Sequence, residues 1–175
     1  MSRPKLFISQ INALEHQAFV EAFGFLFEGS PWIASQAWHG RPFASMDDLH
    51  EKLCAVMYGG TREQQLALIR AHPDLVGGAA LAGTLTPQST GEQAAAGLDR
   101  LSPVEIAEFR RLNAVYRDRF GFPFVICARE NKKESILRDF AIRLHNTQEK
   151  EIATTLGEIA KIARLRLLDM ASDNG

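Results

Sequence analysis

The chain is predicted to fold as an all-α, single-domain helical bundle. Three observations carry that expectation. Helix-start signals recur along the chain, with Ser or Thr three residues ahead of Glu or Gln. Apolar residues return at spacings of three and four. No stretch alternates apolar and polar in the way paired strands require. At 175 residues the chain has the length of one domain with a sizeable core, expected to span 1–175 with its core at about 6–170.

Taken in order, Ser30-Pro31 suits a helix start with proline at the first helical position, ahead of Trp32, Ile33 and Trp38. The next helix begins between Ser45 and Asp47 and runs to Tyr58, where Gly59-Gly60 stops it. Thr61 and Gln64 form a capping box for a helix through Arg70, with Leu66, Leu68 and Ile69 facing the core. From Gly77 to Gln88 the chain is rich in Gly, Ala, Thr and Pro and reads as a loop with one short helical turn. Ser89 and Glu92 read as a second capping box, opening a helix to about Gly97. Ser102, Pro103 and Glu105 form a third, opening a long helix that carries Ile106, Phe109, Leu112, Asn113 and Tyr116.

Gly121-Phe122-Pro123-Phe124-Val125-Ile126-Cys127 breaks the helical pattern. Its proline favours extended backbone before it, and its apolar content argues for burial. The backbone groups of such a segment need partners outside any helix, a ligand included. Two helices follow, Ser135 to His145 and Gln148 to Met170. The second should bury Ile152, Leu156, Ile159, Ile162, Leu165 and Leu168.

Composition excludes several functions. Formal net charge is -1 with both signs interspersed, so no basic surface for nucleic acid or anionic membrane is expected. No apolar run reaches the length of a membrane span. The first residues lack the long apolar stretch of a signal peptide, and the last four are polar, which points to a cytoplasmic protein. Cys54 and Cys127 lack CxxC spacing and read as two buried thiols. No metal-ligand spacing, phosphate loop or dinucleotide fingerprint is present, so neither metal nor cofactor is expected.

Polar residues near the loops are the candidates for chemistry. His72 precedes Pro73, which ends its helix and displays the ring at a helix C-terminus. A helix-capping histidine has the same pattern. Glu92 reads either as the capping partner of Ser89 or as a carboxylate facing a cleft, with Gln93 beside it. A His and a Glu brought together could hold and move protons near neutral pH. Arg164 and Arg166 interrupt the apolar face of the last helix. Either snorkels to solvent or forks onto a substrate carboxylate.

Several motifs together resemble one family. They are Phe27-Glu28-Gly29-Ser30-Pro31-Trp32, Ala71-His72-Pro73-Asp74-Leu75, Ser89-Thr90-Gly91-Glu92-Gln93, Arg119-Phe120-Gly121-Phe122-Pro123-Phe124-Val125-Ile126, and the run from Glu158 to Leu167. From about Leu6 to Met170 the chain is similar to 2-oxo-4-hydroxy-4-carboxy-5-ureidoimidazoline (OHCU) decarboxylases, which complete urate breakdown to (S)-allantoin. The resemblance implies an all-α homodimer without a cofactor, acting on a small ureide. It makes His72, Glu92 and Arg166 catalytic, and Pro73, Ser89, Gln93, Phe124 and Ile126 substrate-binding. It also implies a pathway association with hydroxyisourate hydrolase and urate oxidase. Two other classes stay open at this point: another cofactor-free ureide lyase or hydrolase, and a non-catalytic helical binding domain. Separate feeding of each pathway intermediate discriminates them.

Overall fold

The computed structural model describes residues 5–173. Among them the chain forms ten α-helices: α1 (Ile8–Asn12), α2 (His16–Phe23), α3 (Trp32–Ala37), α4 (Met46–Gly59), α5 (Arg62–Arg70), α6 (Gly78–Leu81), α7 (Pro87–Ala95), α8 (Pro103–Phe120), α9 (Lys133–Arg143) and α10 (Gln148–Met170). The all-α expectation holds, with one small addition. Leu6–Phe7 (β1) pairs in parallel with Ala171–Ser172 (β2), joining early and late segments of the described residues. Two-residue strands have no alternation to read, so sequence pattern could not announce them. The N-terminal helices α1 and α2 were likewise not anticipated. No helix of the described residues is long and apolar enough to cross a membrane.

Most helix starts follow their local chemistry. Ser45 accepts the Asp48 N–H at the start of α4, and Thr61 and Gln64 exchange side-chain-to-backbone bonds at the start of α5. Ser102 and Glu105 do the same for α8, with Pro103 in its first turn. That helix ends at Gly121, whose φ of 75° is a left-handed conformation that glycine adopts without a Cβ penalty.

One capping assignment changes. Helix α7 begins at Pro87, and its N-cap is Thr86, whose Oγ1 accepts the Ser89 N–H at 3.2 Å. Ser89 is therefore the third residue of the helix and Glu92 lies beyond its first turn. The Thr-Pro pair supplied both a cap and a preset first helical φ, and so outcompeted Ser89. Glu92 is thereby released from a capping duty. Thr86→Ala is expected to cost about 1 kcal/mol of stability, the usual cost of a lost N-cap; urea denaturation measures it.

The last helix buries Ile152, Leu156, Ile159 and Ile162 as expected, but its stripe then continues through Ala163, Arg166 and Leu167, while Leu165 is half-buried and Leu168 exposed. Arg166 belongs to that stripe because its guanidinium has a half-buried carboxylate partner, described below.

By their contacts the residues form two compact units. One runs up to Leu68 and resumes at Ala160; the other is Ile69–Ile159. In the first, α3 packs on α2 and α4 around Phe19, Phe23, Ile33, Leu49, Leu53 and Met57, all fully buried. Full burial of each such side chain contributes roughly 1.5–3 kcal/mol. Cys54 and Cys127 are free and buried, and burial pushes both thiols up to about 11, which keeps them protonated and unreactive.

In the second unit Tyr116 is the hub of an aromatic core. Its ring meets Phe120, Phe122, Phe124 and Phe140, and Phe124 stacks on Phe140 at 3.7 Å between centroids. The segment from Phe122 to Cys127 crosses this core as buried irregular chain, as its proline and apolar content led us to expect.

Candidate active site

His72 lies two residues past the end of α5, slightly later than expected, and is 7% exposed. Its own N–H closes a turn onto the Ile69 carbonyl at 3.2 Å. The loop that follows is braced from three directions. Arg117 of α8 pairs with the Asp74 carboxylate at 2.9 Å. Asn113, one turn earlier on α8, donates to the Leu75 carbonyl at 2.8 Å. Gln93 of α7 accepts the Val76 N–H at 3.1 Å and reaches the Asp74 carbonyl at 3.4 Å.

The bracing holds an unfavourable backbone. Val76 has φ 52°, in the left-handed region that a β-branched residue rarely enters. The next residue must be glycine, since a Cβ on Gly77 would lie 2.6 Å from the Asp74 Cβ. Such strain persists only where its surroundings impose it, and it sits beside the histidine.

Helix α7 carries three of the anticipated residues. Ser89 and Gln93 are buried, and Glu92 is half-buried. The Ser89 hydroxyl accepts from Thr86 at 3.1 Å. Both ends of the Gln93 amide are engaged by the His72 loop, so this side chain ties α7 to that loop. α7 packs against the 3-10 turn Ala128–Glu130, which directly follows the extended segment. The charges of Glu130, Glu158 and Glu92 add to the upward push on the Cys127 thiol, which places Glu92 close to the end of that segment.

Phe124 and Ile126 are fully buried. Among the described residues, the N–H groups of Phe124, Val125 and Ile126 make no intramolecular hydrogen bond. Unspent donors on a buried segment are costly and uncommon, and they mark a place for an external acceptor. Asn113 shows the complementary feature. Its Oδ1 is buried without a partner, while its Nδ2 holds Leu75.

The second unit thus brings His72, Pro73, Ser89, Glu92, Gln93, Phe124 and Ile126 onto connected elements. The two arginines lie in the other unit and differ sharply. Arg164 is exposed and pairs with exposed Asp47 at 2.7 Å. Arg166 has only 4% of its side chain exposed; it pairs with Glu28 at 2.9 Å and donates to the Phe25 carbonyl at 3.3 Å. Arg164 is therefore the snorkelling arginine and Arg166 the held one.

Sequence reading missed a buried polar group in the second unit. Arg143 and Glu151 pair at 2.6 Å, with 6% and 0% of their side chains exposed. The Tyr116 hydroxyl donates to Glu151 at 2.5 Å, Asn146 donates to its other oxygen, and Arg143 also donates to Thr155. A signal was present: Arg143 continues the Ile136–Phe140 stripe of α9 at helical spacing, and so had to point inward.

The second unit of this helical protein therefore holds a buried histidine on a strained, braced loop, a half-buried carboxylate on α7 and a buried segment with unspent amides. The chain belongs to the OHCU decarboxylase family, whose model matches residues 12–168. It is 44% identical over 161 residues to 2-oxo-4-hydroxy-4-carboxy-5-ureidoimidazoline decarboxylase of Amia calva, covering 92% of each chain. It is also 38% identical over 168 residues to the uric acid degradation bifunctional protein PucL of Bacillus subtilis (strain 168), covering 96% of this chain and 33% of that one. Its fold matches the crystal structure of (S)-allantoin synthase with a TM-score of 0.75 at 24% identity, over 95% of this chain and 54% of that one.

Proposed function

We propose that this chain decarboxylates OHCU to (S)-allantoin as a single catalytic domain, without a cofactor. Full-length similarity to a decarboxylase of that name carries the reading. In this substrate one ring carbon bears both a hydroxyl and a carboxylate, beside a ring C=N bond. When the bond to the carboxylate breaks, CO2 leaves, its electron pair forms a bond to the neighbouring carbon, and the C=N electrons move to the nitrogen, which takes a proton. The hydroxyl then gives up its proton to become a carbonyl while the neighbouring carbon takes one up, for a net uptake of one proton. The substrate is its own electron sink, so the protein has to orient it and manage protons.

His72 is the general acid/base, held by the braced loop near the hydroxyl and carboxylate. Glu92 hydrogen-bonds ring or ureido N–H groups and tunes the imidazole. Phe124 and Ile126 wall the ring, and their free N–H groups bind a substrate oxygen. Arg166, pre-oriented by Glu28, is the arginine that recognises substrate oxygens; Arg164 is spent on the surface. Pro73 and Ser89 shape the site, and Gln93 adds to its substrate contact the bracing seen here.

The protein acts in the cytoplasm as a homodimer, next in sequence to urate oxidase and hydroxyisourate hydrolase. The bifunctional relative, in which the matching region is one third of the chain, supports association with other steps of uric acid degradation. The test is circular dichroism at an allantoin band while urate oxidase and hydroxyisourate hydrolase generate the substrate in situ. Fast growth of an (S)-allantoin signal on adding this protein is expected. Racemic product at the spontaneous rate would sink the reading.

A further inference from the structure

We propose that Arg143 and Glu158 are positioning residues that present the backbone N–H groups of Phe124 and Ile126 to the substrate. The inference rests on the decarboxylase reading. It starts from an accounting of the extended segment. The Val125 carbonyl is taken by Arg143 Nη1 at 2.8 Å, and the Cys127 N–H is taken by Glu158 at 3.0 Å. Val125 and Cys127 are therefore both tied down by charged side chains. The N–H groups of Phe124 and Ile126, flanking these anchors, make no hydrogen bond within the described residues.

Arg143 holds the segment by more than one contact. The Arg143 guanidinium also lies 4.2 Å over the Phe124 ring. Its remaining donors go to Glu151 and Thr155, and Glu151 is itself fixed by Tyr116 and Asn146. Replacing a buried ion pair by apolar residues of similar volume is often neutral or stabilising, so net stability alone is a poor reason to keep one here. A planar fork that must grip a carboxylate, a hydroxyl, a carbonyl and a ring face at once is a geometric device, for which lysine is no substitute. Charge-assisted bonds are also short and directional, as needed to hold two donors in register.

The experiment compares wild type, Glu158→Ala and Glu158→Gln. It reads kcat and KM in the coupled assay, and backbone 1H–15N shifts of Phe124 and Ile126 on adding (S)-allantoin. Glutamine keeps an acceptor for the Cys127 N–H; alanine does not. We expect Glu158→Ala to lose roughly ten- to a hundred-fold in kcat, in line with removing a preorganised donor, and to lose the allantoin-induced shifts at both amides. Glu158→Gln should restore most of both. A Glu158→Ala enzyme within twofold of wild type, or an impaired one whose two amides still respond to allantoin as in wild type, overturns the proposal. If Glu158→Ala does not fold, Tyr116→Phe tests the other anchor: it loosens Glu151 and hence Arg143, and unaltered kcat with unaltered amide shifts overturns the proposal equally. An inactive wild-type protein would remove the decarboxylase reading, while the allantoin shifts would still decide this one.

Discussion

His72→Asn is expected to lower kcat at least ~10²-fold, the contribution of a positioned acid/base group, which corresponds to about 2.7 kcal/mol of barrier. Asparagine nearly fills the space of imidazole and can hydrogen-bond, but it cannot take or give a proton near neutral pH. The loop should survive the change. It is held by Gln93, Asn113 and Arg117, and the backbone N–H of residue 72, which the substitution keeps, closes its turn. Far-UV circular dichroism and urea midpoint should therefore stay near wild type while turnover collapses. A variant within tenfold of wild-type kcat would remove His72 from the chemistry and leave it as a structural residue.

The largest effect on stability is expected at Glu151. Glu151→Ala leaves the Arg143 guanidinium buried without its counter-charge, and removes the acceptor for Tyr116 and Asn146. Stranding one member of a buried pair costs about 3–5 kcal/mol, a large share of a domain's total of roughly 5–15. Burial holds the Tyr116 phenol well above its ordinary range, and its bond to Glu151 raises it further, so ionisation of the tyrosine offers no relief. Urea denaturation measures the loss. Arg111→Ala is the control: its pair with Glu108 is solvent-exposed and should contribute little. Replacing Arg143 and Glu151 together by methionine should recover most of the stability. Recovery of folding without recovery of activity would separate the pair's geometric role from its energetic one. A Glu151→Ala protein as stable as the Arg111 control would show that this ion pair carries little.

What could be read in the sequence follows from the range of the interactions involved. The boundaries of α4, α5, α8 and α10 were legible because caps and glycine stops act within four residues. Helix α7 was misread because Thr86 and Ser89 are both good caps, and only the competition between them decides. The burial of Phe122 to Cys127 was legible from composition; its anchoring by Arg143 and Glu158 was not, since those partners lie 18 and 31 residues away. Leu168 looked like core, and Arg166 like an interruption of it. Their exchange depends on Glu28, which is 138 residues distant and has no local signature. The His-Pro pair announced the end of α5, whereas the burial of the ring, the bracing by Asn113 and the left-handed Val76 belong to tertiary structure. Motif resemblance carried the candidate site further than periodicity did.

The short pairing of Leu6–Phe7 with Ala171–Ser172 has a consequence for birth of the protein on the ribosome. The unit containing these strands takes residues from both extremes of the chain, while Ile69–Ile159 is an uninterrupted stretch. During synthesis α1 to α4 emerge well before the end of α10 and the partner strand. Apolar surface on α2, α3 and α4 must wait in that interval, exposed to chaperones and to neighbouring nascent chains, while the middle stretch already has its whole sequence in hand. A chain that stopped between Ile159 and Ala171 would hold the whole middle stretch but lack residues that complete the unit of its first helices.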